Sequence, residues 1–230
     1  MARVKHALDR IVASVGAVEI VTGARPIDPA DSESLYPVEL EAVARAVPRR
    51  SAEFASGRAL LRSLIDDDVP IPMMSDRRPL LPHGIRASLA HDEHLVVAVS
   101  SRDDDIVSLG VDIEPYRTLE PGVVSIISRD DELDVDPLVL FCAKEAVYKA
   151  WSQSGGGFLE HRDVRVELEG PTFAAEVIGQ SVVLHGGWAL VDGRCVAVAV
   201  LWSGAFPGRT PAPRLAGSST PDQVSGVDCR

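Results

Sequence analysis

The sequence Gly110-Val-Asp-Ile-Glu114 decides the fold of this chain together with Phe141-Cys-Ala-Lys-Glu-Ala-Val-Tyr-Lys149. The first stretch belongs to an apolar alternation that predicts a β-strand over residues 106–113. Because side chains alternate between the two faces of a strand, Asp112 and Glu114 point to the same side. Adjacent carboxylates suit Mg²⁺, which prefers oxygen ligands. A solvated strand face with two exposed acids accounts for the same residues.

The second stretch predicts a helix over residues 137–153, which begins at a proline and ends before the glycines at 155–157. Glu145 precedes Lys149 by four residues, so both side chains lie on one helix face. One interpretation is a surface ion pair worth about 0.2–0.5 kcal/mol. The other is a third metal-binding carboxylate, flanked by Lys144 and Lys149, whose ammonium groups meet phosphates.

Composition limits the classes of function. The chain has 230 residues, 46% of them hydrophobic and 25% charged, which is ordinary for a folded protein with one sizeable domain or two small ones. The formal net charge of −11 argues against a nucleic-acid or anionic-membrane partner. No apolar run approaches the roughly 20 residues of a membrane span. The three cysteines have no CxxC spacing, so neither a disulfide framework nor a zinc site is indicated.

The predicted elements follow apolar periodicity and turn residues. The segment 11–24 predicts a first strand rather than a signal peptide, and a cytoplasmic location follows from that interpretation. Helices are predicted over 35–47 and 49–65, a loop over 66–84, a β-hairpin from 95–100 and 106–113, and strands over 164–169, 173–178, 182–190 and 195–201. The order indicates an α+β fold with an N-terminal lobe (1–104), a C-terminal lobe (105–202) and a disordered tail (203–230).

Two arginines mark the second predicted helix. Arg50 and Arg58 are separated by about two helical turns. They form either a solvated rim or a pair of guanidinium groups that bind phosphate oxygens, for which arginine is the best-shaped side chain.

These stretches resemble the paired signature of the 4′-phosphopantetheinyl transferases, most of all the Sfp-type or enterobactin-synthase-type branch. The resemblance extends over roughly residues 35–200. It includes Arg49-Arg-Ser-Ala-Glu-Phe-Ala-Ser-Gly-Arg58, Arg78-Pro79 and Ser88-Leu-Ala-His91. It implies two pseudo-symmetric α/β lobes in one chain, with the active site at their interface. It also implies a monomeric enzyme of the holo-[acyl-carrier-protein] synthase type.

The resemblance implies a role for each matched residue. Coenzyme A is the co-substrate, and its phosphates are bound by Arg50, Arg58, Arg78, His91, Lys144 and Lys149. Mg²⁺, or Mn²⁺ in its place, is held by Asp112, Glu114 and Glu145. Glu145 and Lys149 are the expected catalytic residues, of which Glu145 takes the proton of the attacking serine either directly or through a metal-bound water.

The implied reaction is phosphoryl transfer, which depends on positioning and charge neutralisation. A serine of an acyl or peptidyl carrier protein attacks the pyrophosphate of coenzyme A, and adenosine 3′,5′-bisphosphate leaves. Polyketide or nonribosomal peptide synthesis is the expected setting. Two alternatives remain open: an Mg²⁺-dependent nucleotide pyrophosphatase and a non-catalytic coenzyme A-binding regulator.

The chain departs from the family pattern around the nucleotide pocket. Ala90 precedes the histidine where Ser or Thr is usual, Asp92 follows it where Ser, Cys or Gly is commoner, and Leu81 replaces an aromatic residue. These changes affect the nucleotide pocket, not the predicted metal site. The spacing of His91 and His94 gives no metal pair, because the two side chains would not share a face.

Overall fold

The computed structural model describes residues 1–17 and 19–204, so the predicted tail lies outside the described residues from 205 onward. Its helices are α1 (Ala2–Ser14), α2 (Pro37–Val43), α3 (Pro48–Ile65), α4 (Pro121–Ile127) and α5 (Pro137–Gln153), with 3-10 turns at Pro29–Ser34 and His161–Asp163. Its strands are β1 (Val21–Pro26), β2 (Arg86–His91), β3 (Leu95–Ser101), β4 (Ile106–Pro115), β5 (Val164–Glu169), β6 (Thr172–Val177), β7 (Val183–Val191) and β8 (Arg194–Trp202).

The strands form two antiparallel sheets. One has three strands in the order β1-β3-β2, and the other has five in the order β4-β8-β7-β6-β5. The predicted α+β class is therefore confirmed. The two sheets differ in their number of strands, so the predicted pseudo-symmetry of two lobes is not established. The lobe boundary at 104/105 stays a prediction.

The predicted hairpin of 95–100 with 106–113 is wrong. β3 pairs with β1 on one side and with β2 on the other, while β4 pairs with β8, which comes last of the strands in the chain. Every residue of β3 is buried, as expected for a strand with a neighbour on each side. Since both edges of β3 are occupied, β4 is left to form the edge of the second sheet.

The predicted first strand over 11–24 is also wrong in its first half. Residues Ala2–Ser14 form α1, and the strand begins only at Val21. Val4, Leu8 and Ile11 recur at helical spacing and are buried, so the apolar residues after position 10 continue a helix that has already begun. α1 packs into one core with β3, β4 and β8, and so joins the two sheets.

Helix α5 packs on β4 and β8 over a second core. Asp136 caps its first turn by accepting hydrogen bonds from the N–H groups of Leu138 and Val139, and Pro137 occupies the first helical position. The prediction for this helix is confirmed, as are those for α3 and for the four strands after α5. The prediction did not include α4 or the turn at His161–Asp163. No helix of residues 1–17 and 19–204 combines the length and the apolar character that crossing a membrane requires.

Candidate active site

A cleft of about 370 Å³ lies where α3, β2, β4, α5 and the loop before β2 meet. Its lining includes six of the nine predicted site residues: Arg50, Arg58, Arg78, His91, Asp112 and Lys149. Glu114, Glu145 and Lys144 do not line it. Tyr148 and Gln153 of α5 and Ser88 of β2 also line the cleft and were not predicted as site residues.

One wall of the cleft is cationic and begins with Arg50 and His91. An Arg50 guanidinium N–H donates to His91 Nε2 at 2.8 Å, and His91 Nδ1 donates to the carbonyl oxygen of Asp92 at 3.3 Å. Arginine can only donate, so these partners assign the His91 proton to Nδ1. Glu53 also faces this pair, 3.3 Å from Arg50 and 3.6 Å from His91.

Arg58 lies deeper in the same wall. It is buried, its Nε donates to the carbonyl oxygen of Ile71 at 2.6 Å, and its guanidinium lies 4.2 Å from the centre of the Phe54 ring. Burial lowers the pKa of Arg58 to about 10, so the side chain remains charged at neutral pH. A buried guanidinium facing a cleft favours an anionic occupant.

Arg78 closes the wall from the loop before β2. It donates to Asp76 at 2.7 Å and to the carbonyl oxygen of Ser152 at 2.8 Å. The second bond attaches the loop to the last turn of α5. This bond holds the loop against the helix that carries Lys149. The prolines and glycine of the loop did not predict its conformation.

An ion pair between strand β4 and helix α5 also lines the cleft. Lys149 Nζ donates to Asp112 Oδ1 at 2.7 Å and to the carbonyl oxygen of Val111 at 3.0 Å. Ser88 Oγ accepts a hydrogen bond from the Val111 N–H at 3.1 Å, which joins β2 to β4 at this point. The lysine predicted to meet phosphate therefore lines the cleft and has one carboxylate partner.

Glu114 follows Asp112 on the same face of β4. Burial raises the pKa of Glu114 to about 7, and the negative charge of Asp112 adds to the shift, against the opposing effect of Lys149. Glu145 contributes a smaller shift in the same direction. Glu114 is therefore close enough to each of the other two predicted metal ligands for their charges to repel its own, which is the electrostatic setting that a bound cation relieves.

Mg²⁺ fits the chemistry of this set. Three carboxylates supply oxygen ligands, and Asp112 Oδ2 is buried without a hydrogen bond from any described residue. Residues 1–17 and 19–204 contain no group of three His, Cys, Asp or Glu side chains gathered closely enough to hold a metal ion. In this arrangement Lys149 engages Asp112 and another residue engages Glu145. The metal role of these side chains stays a prediction.

That other residue is His161, which the sequence analysis did not single out. His161 Nε2 lies 3.0 Å from Glu145 Oε1, and its ring stacks on Phe141 with 5.4 Å between ring centres. His161 follows Glu145 by 16 residues and lies beyond the end of α5, so no helical or strand periodicity relates them.

Lys144 lies away from the cleft, contrary to its predicted role with coenzyme A. Its side chain is 1% exposed, and Nζ donates to Glu132 Oε2 at 2.6 Å and to the carbonyl oxygen of Ile127 at 2.9 Å. Successive helix residues are about 100° apart around the axis, so Lys144 and Glu145 face different neighbours. The prediction for Lys144 is corrected: it forms a buried ion pair.

Comparison with known proteins agrees with the resemblance. Residues 38–101 match the family model described as the 4′-phosphopantetheinyl transferase N-terminal domain. The chain is 33% identical over 194 residues to 4′-phosphopantetheinyl transferase Svp of Streptomyces mobaraensis, covering 72% of this chain and 78% of Svp. Identity to 4′-phosphopantetheinyl transferase Npt of Nocardia iowensis is 29% over 184 residues, covering 69% of this chain and 82% of Npt.

A third relative is 4′-phosphopantetheinyl transferase PptT of Mycobacterium tuberculosis, 34% identical over 155 residues, which cover 60% of this chain and 68% of PptT. Two of the three relatives exceed 30% identity with at least two thirds of their length matched. The chain therefore belongs to the 4′-phosphopantetheinyl transferase family and is an enzyme of that type.

Proposed function

We propose that this enzyme transfers the 4′-phosphopantetheine group of coenzyme A to a serine of carrier proteins. The observation that carries the proposal is that one cleft is lined by Arg58 of α3, Arg78 of the loop before β2 and Lys149 of α5, which are cationic side chains from three different elements. A pyrophosphate with an additional phosphate on its nucleotide end needs such a site, because its charges must be neutralised at several points. Adenosine 3′,5′-bisphosphate is the expected second product.

The cationic wall is assigned to the nucleotide end of coenzyme A. Arg50 and His91 lie at the more exposed part of the wall, and Arg58 lies in its buried part. Arg78 already donates to a carbonyl oxygen of α5, so it binds a phosphate from a loop that is fixed beforehand. Lys149 lines the cleft from α5 and is assigned to the pyrophosphate.

The transfer step is assigned to Glu145. The serine oxygen attacks the phosphorus that bears the pantetheine, a new P–O bond forms, and the bond to the adenosine 3′,5′-bisphosphate oxygen breaks. Glu145 takes the serine proton, while Lys149 neutralises charge that develops on the pyrophosphate. Asp112, Glu114 and Glu145 would hold Mg²⁺ or Mn²⁺, which when bound supplies further neutralisation of the pyrophosphate.

The carrier protein is proposed to bind at α4. Val123 and Ile126 are 42% and 64% exposed on this short helix, whereas Ile127 is 2% exposed and packs inward. Arg162 lies beside them, where it donates to the carbonyl oxygens of Ser125 and Ser128 and pairs with Asp130 at 2.9 Å. An exposed apolar helix face offers an acidic carrier protein a local contact that does not depend on charge, despite the net charge of −11.

Intact-protein mass spectrometry tests the function. Apo acyl and peptidyl carrier domains are incubated with the enzyme, coenzyme A and Mg²⁺, and a serine-to-alanine carrier serves as the control. A gain of one phosphopantetheine on the serine-containing carriers alone is expected, and the set of carriers modified indicates polyketide or nonribosomal peptide synthesis. Hydrolysis of coenzyme A without a carrier would indicate a pyrophosphatase instead, and binding without any reaction would indicate a regulator.

A further inference from the structure

We propose that His161 is the positioning residue of Glu145. It holds one carboxylate oxygen so that the other faces the metal and the attacking serine. This inference rests on the proposed function, because it concerns how the expected proton acceptor is oriented. It assigns a role to a residue outside both signature stretches, on a turn that follows α5.

The contacts of His161 fix its ring on two sides. Nε2 lies 3.0 Å from Glu145 Oε1, and the imidazole is stacked on Phe141 with an interplanar angle of 24°. A carboxylate accepts hydrogen bonds, so the proton of the His161 ring is on Nε2, and this N–H donates a hydrogen bond to Glu145 Oε1. Phe141 lies one helical turn before Glu145, which means that the same face of α5 supplies both contacts.

The turn that carries His161 is held independently of Glu145. The N–H of Glu160 donates to Asp163 Oδ2 at 2.8 Å, which closes the turn on itself. Arg162 donates to the carbonyl oxygen of Ser128 at 2.8 Å, and Arg129 donates to the carbonyl oxygen of Arg162 at 2.6 Å. The histidine is therefore the fixed member of the pair.

Glu145 is the member that gains order. Its side chain is partly exposed and has several rotatable bonds, so its orientation is lost easily without a partner. A donor that engages Oε1 leaves Oε2 as the atom for the proton or the metal. Partners that orient a metal ligand commonly change metal affinity or activity by about 10–100-fold when removed.

The test uses two substitutions with different chemistry. His161→Phe keeps an aromatic ring against Phe141 but removes the donor, whereas His161→Gln restores an N–H near the position of Nε2. His6→Phe on α1 is the control, since His6 is exposed and does not line the cleft. For each full-length protein, Mn²⁺ affinity is measured by electron paramagnetic resonance with coenzyme A and no carrier. The kcat, the KM for coenzyme A and the thermal midpoint are measured in parallel.

We expect His161→Phe to weaken Mn²⁺ binding about 10-fold or more and to lower kcat, with the KM for coenzyme A and the thermal midpoint unchanged. His161→Gln should recover most of both losses. Equal Mn²⁺ affinity in wild type and His161→Phe would overturn the inference, as would a wild type that binds no Mn²⁺. The inference would also be overturned if His161→Gln lost as much Mn²⁺ affinity and kcat as His161→Phe and its thermal midpoint were lowered, because that result indicates a structural role. If the Mn²⁺ affinities differ but no carrier is modified, the positioning role stands and the proposed function fails.

Discussion

Gly110 of β4 lies against the main chain of Ala146 in α5, and a methyl group on Gly110 would come within 1.8 Å of the Ala146 carbonyl oxygen. The helix can therefore approach the strand only because residue 110 has no side chain. This approach places the face with Glu145 and Lys149 beside Asp112 and Glu114. The glycine of the first signature stretch and the helix of the second are thus parts of one packing contact.

Gly110→Ala should destabilise the protein by about 3 kcal/mol or more, because the obstructing atom belongs to main chain and cannot rotate away. Gly122→Ala in α4 is the matched control, since nothing lies within 4 Å of its added methyl group. That change should be neutral or stabilising by about 0.5–1 kcal/mol. Urea unfolding measures both, and equal midpoints for the two variants would contradict the packing argument.

Lys144→Met should lower stability rather than coenzyme A affinity. Burial lowers the pKa of Lys144, and the hydrogen bond and negative charge of Glu132 oppose that shift. The charged form of the buried ammonium is therefore stabilised by Glu132. Removing one member of a buried pair costs about 3–5 kcal/mol, and removing both costs much less. Glu132→Gln combined with Lys144→Met should therefore recover part of the lost stability in urea unfolding. A raised KM for coenzyme A at unchanged stability would restore the predicted phosphate role.

Arg50 and Arg58 should respond differently to substitution although both line the cleft. Arg50→Gln should raise the KM for coenzyme A without loss of stability, because its side chain is 48% exposed. Arg58→Gln should raise the KM and also lower the unfolding midpoint, since its bond to the Ile71 carbonyl oxygen is lost in a buried setting. Steady-state kinetics and thermal unfolding separate these effects. A pure KM effect at Arg58 would mean that the buried bond contributes little.

The sequence predicted α5 and the last four strands because their signals are local: a proline begins the helix and glycines follow its end, and apolar periodicity with glycine-containing turns marks the strands. The sequence analysis paired β4 with the wrong strand, because pairing between strands that are distant in the chain has no local sequence signal. The direction of Lys144 was missed for a related reason. Helix α5 is buried on several sides, so periodicity does not show which neighbour a given side chain meets.

Glu145→Gln should abolish transfer while coenzyme A binding is kept. The amide retains the shape of the carboxylate and can still meet His161, but it cannot take the serine proton. Glu176→Gln on β6 is the control, as an exposed glutamate outside the cleft. Single-turnover transfer and equilibrium binding of coenzyme A are the measurements. Turnover close to that of the wild type would remove Glu145 from proton transfer.

Asp92, a departure from the family pattern, should stabilise the fold in a pH-dependent way. Its Oδ1 accepts hydrogen bonds from the N–H groups of His94 and Leu95, and its Oδ2 pairs with Arg194 at the start of β8. Burial alone would raise the pKa of Asp92, but these donors outweigh it and hold the pKa below the usual 3.8. The carboxylate therefore links the β2–β3 turn to the five-stranded sheet.

Because the folded-state pKa is the lower one, this stabilisation is complete above about pH 4–5 and is lost as the pH falls through the folded value. Asp92→Asn should lower the free energy of unfolding by about 1–3 kcal/mol at neutral pH. The difference in this free energy between wild type and variant should become smaller below the usual pKa of 3.8. Asp104→Asn is the control, since Asp104 is 95% exposed in its pair with Arg86 and its loss should cost little. Urea unfolding from about pH 7 to pH 3 measures both. A difference between wild type and Asp92→Asn that stays constant with pH would show that the charge of Asp92 does not contribute.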